Sequence, residues 1–267
     1  MNIADLTITS LETISAFDIA TGNLKFILDE LQNASIANSQ EKSDITGKGG
    51  RKLSSIKRNK SVTISGSNGM VSGGLMGVQT GGAFANKETE IMWQDYLTVD
   101  AGNKAVTTYK AIGTEGAEII EVLVKNADGT EGARLTQAEA ASAGKFAYAP
   151  ASKTLTMHTD IPAGTEIVVY YKRKIKADVL ENKSDSYSEK VSLYIDALAE
   201  DKCANVYRIQ FYIPKADFSG EFSIEMGDNQ TVHSFEAESL AGGCSALSAA
   251  GALWTYTVFG ANTEDAA

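Results

Sequence analysis

Alternation of apolar and polar residues near the C-terminal end constrains this chain most. Val191, Leu193, Ile195 and Ala197 alternate with Ser192, Tyr194 and Asp196. Tyr207, Ile209, Phe211 and Ile213 alternate with Val206, Arg208, Gln210 and Tyr212, in a strand expected to stop at Pro214. A period of two puts one residue set on each face of a strand, so each run has one face for a core and one for solvent. Phe222, Ile224 and Met226 alternate with Glu221, Ser223 and Glu225, which predicts an acidic outer face. A Gly227-Asp228-Asn229 turn, a strand over 231–238, a last strand over 253–259 and a frayed tail follow.

Upstream the same logic predicts strands at 91–99, 119–125, 146–148, 154–158 and 166–173, spaced by about ten residues, as in a β-sandwich or barrel. Asn126-Ala127-Asp128-Gly129 is a turn sequence, because Asp-Gly tolerates positive φ. Residues 133–144 fit a brief helix or a loop. Over Asn23–Asn38, Leu24-Lys25-Phe26-Ile27-Leu28 would start a buried strand while Phe26–Gln32 fits a helix equally, and the strand is preferred. Residues 1–22, with Ile8, Leu11, Ile14 and Phe17 recurring every third position, fit a short helix or an extended arm, and the arm is preferred. The expected fold is mainly β, a sandwich or half-barrel with one short flanking helix at about 70–79 and a long basic loop. Residues 101–175 form a candidate inserted or appended β module.

The basic loop is the chain's least ordinary feature. Between residues 42 and 60 stand Lys42, Lys48, Arg51, Lys52, Lys57, Arg58 and Lys60 against one acid, Asp44. The chain carries a net charge of −10, so the remainder is near −16. A strongly basic segment on an acidic body suits docking onto an acidic neighbour, a second copy included; a solvated loop is the plain alternative. Gly66, Gly69, Gly73, Gly74, Gly77, Gly81 and Gly82 follow. Ser67 or Asn68 could cap a helix there. Its internal glycines each cost about 1 kcal/mol against alanine, so it needs close packing to persist.

The residues that commonly carry chemistry are sparse. Neither G-x-x-x-x-G-K-[ST] nor G-x-G-x-x-G occurs, so a phosphate cradle is not expected. His158 and His233 have no metal-ligand spacing, and G-x-S-x-G is absent. Glu200 with Asp201, or Glu236 with Glu238, are explained by a solvated strand face. Cys203 and Cys244 fit free thiols better than a disulfide. No apolar run approaches the 18 residues of a membrane span, and the start has no basic then apolar leader. The acidic balance argues against wrapping nucleic acid. The expectation is no catalytic residue, no metal and no cofactor.

Three stretches, Asp44–Gly66, Ala163–Arg173 and Tyr207–Gly242, resemble phage tail tube proteins of the major tail protein type. The resemblance implies a β-sandwich or half-barrel protomer, six copies per ring, and rings stacked into a tube through which DNA passes. It also implies partners at the tube's ends and inside it: a terminator, a tape measure, and a baseplate or tip. The expected location is the virion tail, assembled in the host cytoplasm, with no membrane partner. Lys48, Arg51, Lys52, Lys57, Arg58 and Lys60 would contact another subunit or ring. Glu221, Glu225, Glu236 and Glu238 would face an acidic lumen. A capsid decoration or receptor-binding module is the alternative.

Overall fold

A computed structural model of the chain describes residues 5–126, 128–227, 232–242 and 251–260. The chain divides into two compact units, 1–84 with 180–267, and 85–179.

The first unit starts with β1 (Thr7–Asp18), β2 (Leu24–Leu28), β3 (Leu31–Thr46), β4 (Lys52–Asn68) and helix α1 (Gly73–Thr80). The second holds β5 (Ala85–Thr98), β6 (Lys104–Val106), β7 (Ile119–Lys125), β8 (Glu131–Gln137), β9 (Lys145–Ala149), β10 (Thr154–Thr156) and β11 (Glu166–Val179). The chain then returns to the first unit with β12 (Lys190–Glu200), β13 (Val206–Phe218), β14 (Ile224–Glu225), β15 (Val232–Ser239) and β16 (Thr255–Gly260). The protein is therefore mainly β, with the one α-helix of its described residues at the expected place.

In the first unit nine antiparallel strands form one sheet, ordered β2-β1-β12-β13-β15-β4-β3, with β14 on β15 and β16 on β13. Val191, Leu193 and Ile195 are buried, as are Ile213, Phe235, Val62, Ile64 and Ile14 on the neighbouring strands. Full burial of such a side chain contributes roughly 1.5–3 kcal/mol, so one continuous apolar face holds these strands in register. Leu75 and Val78 of α1 close over this face.

Helix α1 begins at Ser72, whose hydroxyl accepts from the Leu75 amide at 3.3 Å, and not at Ser67 or Asn68. Residues 70–72 pass outside the helix. Its close packing is within the chain: a Cβ on Gly74 would lie 2.7 Å from the Lys25 carbonyl oxygen of β2. Gly81 ends the helix at φ 67° against the Tyr187 carbonyl, a left-handed turn that no other residue could make in that space.

Three expectations need correction. Residues 7–18 are a strand between β2 and β12, not an arm or a helix. β1 carries an extra residue between Ile8 and Ser10 and another between Leu11 and Thr13. Each bulge turns a two-residue apolar step into three, which explains the misleading spacing of Ile8, Leu11 and Ile14. The strand of Tyr207 also runs through Pro214 to Phe218. Its register with β12 slips there, Val191 facing Ala216 and Leu193 facing Ile213, so Pro214 sits in a bulge where the missing N–H breaks no ladder bond. Finally, residues 133–137 belong to β8, and the rest of 133–144 is loop and turn.

The second unit is a seven-stranded sheet, ordered β5-β11-β7-β8-β9-β10-β6, curled as a half-barrel. Val122, Leu135, Phe146, Leu155, Ile167 and Val169 lie among its buried core residues. Asp95 is buried beside them, accepting from the Trp93 indole at 3.0 Å, the Thr108 amide at 2.7 Å and hydroxyl at 2.8 Å, and the Tyr171 hydroxyl at 2.7 Å. Burial pushes its carboxyl up, but these four donors outweigh burial and hold it below the usual range. Burial, then the neighbouring Asp95, push the Tyr171 hydroxyl far above its ordinary value.

Candidate assembly surfaces

The stretch expected as a long basic loop is a β-hairpin. β3 and β4 pair from Leu31 with Asn68 to Thr46 with Lys52, and a single 3-10 turn at Lys48–Gly50 joins them. Val62 and Ile64 anchor its base in the core. From Ala37 to Lys60 no residue is buried. This outer half is mostly polar and charged, so no apolar period announced its strands; cross-strand backbone bonds make it a hairpin.

The register sorts its side chains. Lys42 faces Lys57, Asp44 faces Ser55 and Thr46 faces Lys52 on one side. Lys52 Nζ lies 2.7 Å from Asp44 Oδ1, and that hydrogen bond raises the lysine pKa. Glu41 faces Arg58, Ser43 faces Ile56 and Ile45 faces Ser54 on the other side. Asn59 takes φ 52° at a bulge and donates its amide to Glu41 Oε2 at 2.6 Å. Lys48 opens the turn and Arg51 follows it, Lys57, Arg58 and Lys60 come after along β4, and all are exposed. Three apolar residues the charge pattern did not single out share this arm: Ile45 is 44% exposed, Leu53 67% and Ile56 43%. Only their isolation among Ser and Lys signals them in the sequence.

The expected acidic residues are partly brought together. Phe235 and Ala237 of β15 turn into the core, so Glu236 and Glu238 are exposed on the opposite face. Glu225 pairs with Val232 and shares that outer face, while Glu221 is exposed in the segment before β14. Asp217 stands directly across from Glu238, with Lys190 3.5 Å from the Asp217 carboxylate. The row is therefore acidic but not purely so.

The two histidines differ. His233 is fully buried; His158 is half-buried, its Nδ1 2.8 Å from Asp160 Oδ1. Among the described residues, no group of three or more His, Cys, Asp or Glu could hold a metal ion. Cys203 is exposed in the β12–β13 turn; Cys244, residues 228–231 and the 261–267 tail lie outside the described residues. No helix among the described residues is long and apolar enough to cross a membrane.

A family model covering residues 6–252 matches this sequence, embracing both units, the arm and the acidic face. The chain belongs to the YomU/Tube protein family. This is a phage tube-type family, in agreement with the resemblance carried by Asp44–Gly66, Ala163–Arg173 and Tyr207–Gly242. None of the curated proteins matches the chain.

Proposed function

We propose that copies of this chain form hexameric rings that stack into the tube of a phage tail, a structural and non-catalytic role in conducting DNA to the host. The observation that carries this reading is the arm from Ala37 to Lys60, which buries nothing within its own chain. An isolated two-stranded hairpin is marginal in water, so an arm bearing Ile45, Leu53 and Ile56 gains most of its order from another surface. Its charge, near +6 over residues 42–60, draws it to a body near −16. A patch on one copy that fits a different patch on the next is the head-to-tail relation that generates stacked assemblies.

The acidic face of Glu221, Glu225, Glu236 and Glu238 would line the lumen and repel DNA phosphates, so that the genome slides without adhering. The tube would end on a terminator and a baseplate or tip, enclose a tape measure, and assemble in the host cytoplasm. Electron microscopy of the purified protein tests the reading. Hollow tubes or stacked rings are expected; a monomer at every concentration would overturn it, and binding of that monomer to capsids or cells would favour a decoration or receptor-binding module. Arg51, Lys57 and Arg58 changed together to Glu should leave the protomer folded and stop stacking. Normal tubes from that variant would remove the arm from the contact.

A further inference from the structure

The arm needs a receiving surface, and one groove fits it. The outer faces of three adjacent strands, β1, β12 and β13, make its floor, and the turn from Asp18 to Gly22 makes its rim. It encloses about 770 Å³, room for several long side chains. Tyr194 and Tyr212 stand on facing positions with rings stacked 4.5 Å apart, and Phe17 meets Tyr194 edge-on at 5.6 Å. Asp196 lies beside them, accepting from Gln210 at 2.8 Å and from the Thr13 hydroxyl at 3.5 Å. Asp18 supplies a second carboxylate: its Oδ1 caps the Ala20 and Thr21 amides, and its Oδ2 lies 3.8 Å from Lys25 Nζ.

Rings beside carboxylates suit a guanidinium or ammonium, whose charge pairs with the acid while its stem or plane lies on the aromatic surface. The groove also differs from the other four described cavities in one respect: each of those has at least one lysine in its lining, and this one has neither lysine nor arginine. Lys25 stands beside Asp18 at the rim, so it is at Asp196, whose described partners are the uncharged Gln210 and Thr13, that an incoming cation is unopposed. The floor is sheet rather than loop, so it is formed before the partner arrives and loses little freedom on binding.

We infer that the groove over β1, β12 and β13 receives the tip of the β3–β4 arm of a second copy, with Lys48, Arg51 or Lys52 entering beside Asp196 and the tyrosine pair. The inference rests on the tube reading, and names the surface that the arm meets. Ten residues of β3, Ala37 to Thr46, reach about 30 Å at the usual rise of a strand, enough for the tip to span to a neighbour.

Charge exchange and cross-linking test it together. Asp196→Asn keeps an acceptor for Gln210 and removes only the charge; it should raise the protein concentration needed for assembly about tenfold or more. Asp196→Lys should stop assembly, and adding Arg51→Glu to it should restore tubes. In a Cys203→Ser, Cys244→Ser background, Arg51→Cys with Tyr212→Cys should give a ladder of covalent multimers on mild oxidation of tubes, whereas either cysteine alone gives dimers at most. The cross-link reports on the site even if the lysine variant fails to fold. If the triple Glu variant of the arm stops stacking while the Asp196 variants assemble normally and no ladder forms, the arm bridges elsewhere: the inference falls and the tube reading stands. An intramolecular cross-link without multimers overturns the inference in the same way. If the native chain never assembles, both fall.

Discussion

His233 Nε2 lies 2.8 Å from the side-chain oxygen of Gln79, joining the start of β15 to the last turn of α1. On the other side of the ring, the Ser72 amide donates to Nδ1 at 3.2 Å, which makes Nδ1 the acceptor and Nε2 the carrier of the proton. Gln79 completes the chain by donating its amide to the Ser234 carbonyl at 3.0 Å. One neutral imidazole thus fixes both ends of the only helix that covers the first unit's core among the described residues.

Burial lowers the His233 pKa, so the unfolded chain binds this proton more readily than the folded one. Stability from the neutral ring is complete above the unfolded value of about 6.5 and is lost as pH falls from there through the lowered folded value. Denaturation of the Trp93→Phe variant, followed by Trp254 fluorescence, reports on the first unit, since Trp254 packs on Phe211 there. Its midpoint should fall between pH 7 and pH 5. His233→Leu should flatten that dependence and cost about 1–3 kcal/mol at pH 7 through the unpaired Gln79 and Ser72 groups. A midpoint constant from pH 7 to 5 in the histidine form would contradict this account.

Asp95→Ala should destabilise the second unit by about 2–4 kcal/mol, because it leaves four donors, the buried Tyr171 hydroxyl among them, without their acceptor. Trp93 donates to this carboxylate, so its emission follows the loss directly. Asp95→Asn retains an acceptor and should fall between the two. Equal stability of all three forms would show that the network contributes nothing.

Gly74→Ala tests whether the helix needs its glycine. Alanine favours helix by about 1 kcal/mol, yet its Cβ would meet the Lys25 backbone oxygen and Phe26 Cβ at 2.7 Å. Backbone cannot yield as a side chain does, so the expected net effect is destabilisation of about 1–3 kcal/mol in thermal denaturation. A stabilised variant would mean that α1 and β2 separate easily.

The arm should behave differently alone and assembled. In monomers its amides from Ala37 to Lys60 should exchange hydrogen rapidly and trypsin should cut among its basic residues; in tubes both should be suppressed. Raising salt from 0.05 to 1 M shortens the screening length to about 3 Å and should shift the population toward monomers. Protection already complete in the monomer would show that the hairpin needs no partner.

Legibility followed burial. β12 and β13 were visible because Val191, Leu193, Ile195, Ile209 and Ile213 turn one face to the core, and that pattern survives any context. β1 was obscured by its two bulges, and the far half of β13 by Pro214, since a bulge changes the period on which such reading depends. The outer arm was recognisable by charge and not by shape: Lys42 to Lys60 have no face to bury. The groove was invisible, because Phe17, Asp196 and Tyr212 lie far apart in sequence and meet only through strand order.

Ala85 and Val179, the first and last residues of the second unit, are cross-strand partners. Partners in an antiparallel pair have Cα atoms about 5 Å apart, so the chain departs and returns through a gap that two or three residues can span. Residues 85–179 are thereby a cassette: evolution or an engineer could exchange them for another domain with adjacent ends while the rest of the chain keeps its own sheet, core and arm.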